Sequence, residues 1–238
     1  MSQNPYASTS APAGQFTSSH SPQGKYQFRS LKVLSILVSI FVGLTCLATL
    51  AMSSLDTFGY LTYPNYTDPN AEVGSDAEMH LITASALFGG VMTICYLIAA
   101  VVTSIFSYRS NANLHSLNVK GLEHTPGWCA GWWYVPIMSL FKPYQAVSET
   151  YNKSGDLAGV TPASITGTWW GFWIVGSIIS NIEARLVVQG IDLGGGGIGL
   201  SWFTTILLCI AGILYIAIVS KITSNQHDYV DKNSRVGL

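Results

Sequence analysis

The stretch that decides the fold reads RSNANLHSLNVKGLEHTPGWCAGWWYVPIMSLFKPY, from Arg109 to Tyr144. It lies between two strongly apolar halves, holds Trp128, Trp132 and Trp133, and is interrupted by Pro126, Pro136 and Pro143. If it crosses a membrane, the chain has five spans and its ends lie on opposite sides. If it does not, there are four spans and the ends share a side. Trp128 to Leu140 is 13 residues, about 20 Å as a helix, against a hydrocarbon core of roughly 30 Å. Pro136 would also break the hydrogen-bond ladder of such a helix. The stretch is therefore expected to form a re-entrant or interfacial element over residues 126–152. Its indole rings would sit at headgroup level, with a short amphipathic helix from about Pro143 to Asn152.

Working outward, four apolar runs fall at about 33–53, 81–106, 168–188 and 199–220. Each is long enough, at about 20 residues or more, to cross a bilayer. The chain is 49% hydrophobic and 10% charged, well under the roughly 25% charged of a soluble domain. The fold class this predicts is all-α, an integral membrane domain of four transmembrane helices over residues 28–221. Residues 1–27 are expected to be a disordered cytoplasmic tail, since 1–24 carry no charge and little apolar surface. Residues 222–238 are expected to be a second cytoplasmic tail.

Basic residues set the orientation. Lys25, Arg29 and Lys32 precede the first run, Arg109, Lys120, Lys142 and Lys153 fill the centre, and Lys221, Lys232 and Arg235 follow the last. The loop after the first run carries only acids, and Arg185 is the lone cation of the last loop. Both termini and the central segment are thus expected in the cytoplasm. Asn181, Glu183 and Arg185 are expected at the far interface, because a charge at the bilayer centre costs about 2.5–3.5 kcal/mol.

Small and polar residues recur at helical spacing within the runs. Ser35, Ser39, Gly43, Cys46 and Ser53 share one face of the first, and Ser85, Gly89, Thr93, Tyr96, Ala100 and Thr103 one face of the second. Trp173, Gly176, Ser177, Ser180 and Ala184 do so in the third, and Thr205, Cys209 and Gly212 in the fourth. Such faces let helices approach closely in a packed bundle, or they line a polar cavity.

The formal charge of -1 and the lack of basic runs give no field for nucleic acid. The four cysteines are single and scattered, and His115 and His124 are nine apart with no ligand pattern, so neither a metal nor another cofactor is expected. Gly194 to Gly197 follow no strand and are read as a flexible turn. Asn65-Tyr66-Thr67 fits a glycosylation acceptor, relevant only in a secretory-pathway host.

The motifs have a family pattern. Arg109, Ala112, Asn113 and Leu114 are followed by Pro126-Gly127-Trp128, then Trp132, Trp133 and Pro136, then Lys142-Pro143-Tyr144-Gln145, and finally Trp169-Trp170. In order and spacing this resembles the bacterial domain-of-unknown-function family 4328, over roughly Phe28 to Ser220. The resemblance implies a multi-pass bacterial inner-membrane protein and supplies no activity. Arg109, where the second run ends, can bind phosphate bidentately, and Asn113 lies one turn on. Arg109, Asn113, Trp128, Trp132, Trp133, Pro136, Pro143, Tyr144, Trp169 and Trp170 form the candidate lipid or ligand platform, with Pro136 and Pro143 fixing the chain's path. The other reading of the same residues is a set of interfacial anchors. No catalytic residue is expected: Glu149 is the one central carboxylate near the platform, and a single carboxylate makes no acid/base pair. A non-enzymatic scaffold or regulator is the first expectation. A lipid or small-molecule binder or transporter is the second. Membrane lipids, and protein partners or further copies of the chain, are the expected partners.

Overall fold

A computed structural model describes residues 25–63, 66, 72, 74–160, 165–191 and 193–236. The described residues are all-helical. In chain order they form α1 (Lys32–Thr62), α2 (Asp76–Ser116), α3 (Pro126–Gly131), a 3-10 turn (Met138–Leu140), α4 (Lys142–Ala158), α5 (Ile165–Val188) and α6 (Gly194–Val236). Helices α1, α2, α5 and α6 are long and apolar enough to cross a membrane. The central stretch adds no fifth, because α3 is 6 residues long. The expected glycosylation acceptor at Asn65 and residues 1–24 lie outside the described residues.

Local sequence sets the helix ends. Ser75 caps α2 by accepting a hydrogen bond from Glu78 N–H at 3.2 Å, while the Glu78 carboxylate reaches back to Gly74 N–H at 2.8 Å, a variant of the capping box. Pro126 opens α3 where its missing N–H costs nothing. The C-termini of α2, α4 and α5 close alike, with Asn118, Gly159 and Gly190 in the left-handed region. In each, an N–H reaches back five residues to a carbonyl: Val119 to Leu114, Val160 to Gly155, and Ile191 to Leu186.

The four long helices do not close into a bundle. Helix α2 packs on α1, α1 on α6 and α6 on α5, so they stand in the order α2, α1, α6, α5 with α2 and α5 at the edges. The expected small residues make these seams. Between α1 and α6, Ser53 and Thr205 hydroxyls pair at 2.8 Å and Trp202 Nε1–H donates to Thr57 Oγ1 at 2.8 Å. A Cβ on Gly212 would come within 2.7 Å of Cys46 Sγ, and one on Gly176 within 2.8 Å of Leu208. Glycine is required at both close approaches.

The densest core sits at one end, where α1 begins and α2 and α6 end. Here α3 and α4 pack against the ends of α2 and α6, burying Phe106, Tyr151, Trp169, Tyr215, Ile218 and Ile222. Few residues of the apolar stretches of the long helices are buried, as in a chain solvated by lipid.

Two boundaries differ from the sequence reading. Residue 221 does not end the packed body: α6 continues to Val236 with Ile222, Thr223, Asn225 and Gln226 buried, and Ile222 and Gln226 meet α2 and α4. The four glycines at 194–197 are the first turn of α6, not a flexible turn, and a Cβ on Gly195 would meet Tyr60 Oη at 2.9 Å. The need for close approach there outweighs glycine's poor helix propensity. Finally, α4 turns one face (Ala146, Val147, Thr150, Tyr151, Ser154) into the protein.

Candidate functional site

Asn113 does not face outward beside Arg109. Its side chain is 1% exposed and clamps the segment that leads into α1. Asn113 Oδ1 accepts from Arg29 N–H at 2.9 Å, and Nδ2 donates to the Arg29 carbonyl at 2.9 Å and to Gln226 Oε1 at 3.0 Å. Gln226, fully buried, donates through Nε2 to the Ser110 carbonyl and to Ser154 Oγ, each at 3.0 Å. One amide pair thereby ties α2, α4, α6 and residues 25–31 together. His227 adds a second tie: its Nε2 accepts from Leu31 N–H at 3.3 Å. Burial, and then the Lys32 charge, hold the His227 imidazole below its ordinary pKa, against the smaller opposing pull of Asp231 and Asp228. Arg109 is half-buried and makes no hydrogen bond or ion pair among the described residues. The expected Arg109/Asn113 pair is therefore split, with Asn113 structural.

The tryptophans fall into two groups. Trp128 stacks on Trp132 with ring centres 4.3 Å apart, and Lys142 Nζ lies 6.0 Å from the Trp132 ring. Trp133 instead joins Trp169, Trp170 and Trp173 at 6.2–6.4 Å. Tyr144 stacks on Trp170 at 6.3 Å and Tyr215 on Trp169 at 5.0 Å. Of the central stretch, Trp133 and Tyr144 thus meet Trp169 and Trp170, while Trp128 and Trp132 stand apart. Pro143 is buried at the start of α4, whereas Pro136 is exposed and precedes a γ-turn at Ile137 (φ 66°, ψ -51°), closed by Met138 N–H to the Pro136 carbonyl at 2.7 Å. Around that turn Tyr134, Ile137, Met138, Leu140 and Phe141 are exposed, while Tyr134 Oη hydrogen-bonds Ser104 Oγ at 2.8 Å and ties the element to α2.

Beneath the same layer, His124 Nδ1 donates to Glu149 Oε2 at 2.6 Å, and Glu149 Oε1 accepts from Glu123 N–H at 3.1 Å. Burial and, less, the neighbouring Glu149 push the Cys129 thiol up to about 12, so it is inert as a nucleophile near neutrality. Among the described residues no cluster of three potential ligands would hold a metal ion. These groups brace α3 against α4.

The open feature lies between the edge helices. A cleft of about 510 Å³ is lined by Tyr96 of α2, Leu140 of the 3-10 turn, and Trp173, Ile174, Ser177, Ile178, Asn181, Ile182 and Arg185 of α5. It exists because α2 and α5 are not packed on each other. Trp173 forms one of its walls and is held edge-on by Trp133. Tyr96, Trp173 and Ser177 stand on the faces that the sequence offered as packing surface or cavity lining. Asn181 and Arg185 read as interface residues there, and their shared stripe with Ser177, four residues apart each time, was the signal that could have placed them in the cleft. A cleft of this size is within the roughly 300–1,000 Å³ of ligand sites.

Residues 73–224 match the family described as Domain of unknown function (DUF4328). The chain belongs to this family. The matched DUF4328 stretch runs from the start of α2 into the last third of α6, and includes every cleft residue and the whole tryptophan cluster. The strap at 25–31, α1 and Gln226 lie outside it. No curated protein and no solved structure matches the chain.

Proposed function

We propose that this protein is a multi-pass protein of the bacterial inner membrane, with both termini cytoplasmic, that binds a membrane amphiphile in the cleft between α2 and α5. The observation that carries the reading is the cleft itself: aromatic and aliphatic walls, an open side, and a few polar groups on one helix. The ten-to-one distribution of basic residues supports the orientation. The lining residues offer shape, hydroxyl, amide and guanidinium groups, which suits binding, and no chemical step is assigned to them. The exposed hydrophobics from Tyr134 to Phe141 would then sit in the cytoplasmic headgroup region and roof the cleft through Leu140.

A scaffolding role is the second reading. It is favoured by the continuation of α6 as a helix to Val236 with an exposed final turn. Native mass spectrometry of protein released from its own membrane separates the two. A bound amphiphile is expected on the wild type and is expected to disappear in Ser177→Trp, which fills the cleft from α5. A bare wild-type chain, or an adduct that survives in the filled variant, refutes the cleft as the site.

A further inference from the structure

We infer that the occupant of this cleft is an anionic amphiphile, its head held by Arg185 at the end of the helices opposite the termini and its chain running toward Trp173 and Leu140. The inference rests on the cleft being an amphiphile site and adds the polarity and chemical class of the ligand. The lining is graded along α5. Trp173 and Ile174 stand at one end, Ser177 and Asn181 follow among isoleucines, and Arg185 stands at the other end. From Trp173 to Arg185 is about 18 Å at 1.5 Å per residue, more than half of a hydrocarbon core of about 30 Å. A single acyl chain can therefore lie along the stripe with its head at the guanidinium.

Charge selects the head. Arg185 is the one basic residue in or beside the short link between α5 and α6; the other ten Lys and Arg lie at residues 25–32, 109–153 and 221–235. No carboxylate lines the cleft, and Arg185 is exposed and has no ion-pair partner among the described residues. Glu183, two residues away, points off by more than half a turn of the helix. Asn181 donates its Nδ2 to the Ser177 carbonyl at 2.7 Å, which leaves its Oδ1 as the amide group free to meet a hydroxyl of the ligand. A guanidinium presents paired donors that match a phosphate or a carboxylate. Both belong to the same ligand class, a lipid phosphate or a fatty acid.

The test uses the full-length protein in a neutral detergent, titrated with lysophosphatidylglycerol, palmitate and zwitterionic lysophosphatidylcholine, with binding read by native mass spectrometry. The wild type is expected to bind at least one of the anionic amphiphiles about tenfold or more tightly than lysophosphatidylcholine. Arg185→Gln is expected to remove that preference by weakening the anionic amphiphile far more than lysophosphatidylcholine, and Arg185→Lys to restore part of it. Loss of preference for lysophosphatidylglycerol alone marks a phosphate head, and for palmitate alone a carboxylate head. If all three bind equally, or Arg185→Gln keeps the preference, the inference is overturned while the cleft stands as an amphiphile site. If none of them binds the wild type, both fall.

Discussion

Gln226 is where the packed body reaches beyond the last apolar run, and its replacement has a calculable consequence. The side chain is fully buried and makes three hydrogen bonds, to the Ser110 carbonyl, Ser154 Oγ and Asn113 Nδ2. At about 1 kcal/mol net for each bond, Gln226→Leu removes roughly 3 kcal/mol. The loss is sharpened because Ser154 is itself fully buried, and it is offset by about 1 kcal/mol from the added apolar surface. A net loss of about 2–3 kcal/mol corresponds to a fall in melting temperature of roughly 4–12 °C for a chain of this size. Gln226→Glu keeps the shape but sets a carboxylate against the Ser110 carbonyl, and an unpaired buried charge costs about 3–5 kcal/mol. The expected order of stability is wild type, then Leu, then Glu, measured by thermal unfolding in one detergent with Ser224→Ala, an exposed neighbour, as control. If all four proteins melt together, α6 beyond residue 221 is not part of the core and the account of the amide clamp is wrong.

Acid should loosen the strap at 25–31. The folded state depresses the His227 pKa, so its contribution is complete above the unfolded value of about 6.5 and is lost as the pH falls through the lower folded value. The protection factor of the Leu31 amide, its exchange rate corrected for the intrinsic pH dependence, is expected to fall below about pH 6.5 in the wild type and to stay flat with pH in His227→Gln, which keeps an acceptor but does not titrate. At the α1–α6 seam, Gly212→Ala drives a methyl into Cys46 Sγ and is expected to cost about 1–3 kcal/mol. Pairing it with Cys46→Ala should recover most of that loss in a double-mutant cycle, and additive effects would contradict the contact.

The long helices were legible because lipid imposes a simple rule: some 20 apolar residues in a row have no other use. The break in the central stretch was legible too, since Pro126, Pro136 and Pro143 each fix local geometry whatever surrounds them. What helical spacing could not carry was the identity of the partner. Asn113 and Arg109 are neighbours on one helix, yet the partners of Asn113 are Arg29 and Gln226, 84 and 113 residues away, and nothing local announces them. The small-residue faces showed that helices meet but not which ones, so a closed bundle and an open row were equally compatible with them. The cleft follows from that choice. Arg185 looked like an anchor because its position depends on α2 and α5 standing apart.

The row also bears on how the protein is made. Helices α1 and α2 form one antiparallel hairpin and α5 and α6 another, and each is sealed by neighbours in sequence. The seam between them joins Ser53 to Thr205, separated by 152 residues. The first hairpin is complete before α5 has left the ribosome, and contacts so distant in sequence close last. Until the second hairpin arrives, the seam face of α1 is a polar stripe without its mate. Cells carrying substitutions at Ser53, Cys46 or Gly212 would therefore show the damage as lost yield during biogenesis, in a protein whose two halves had each inserted correctly.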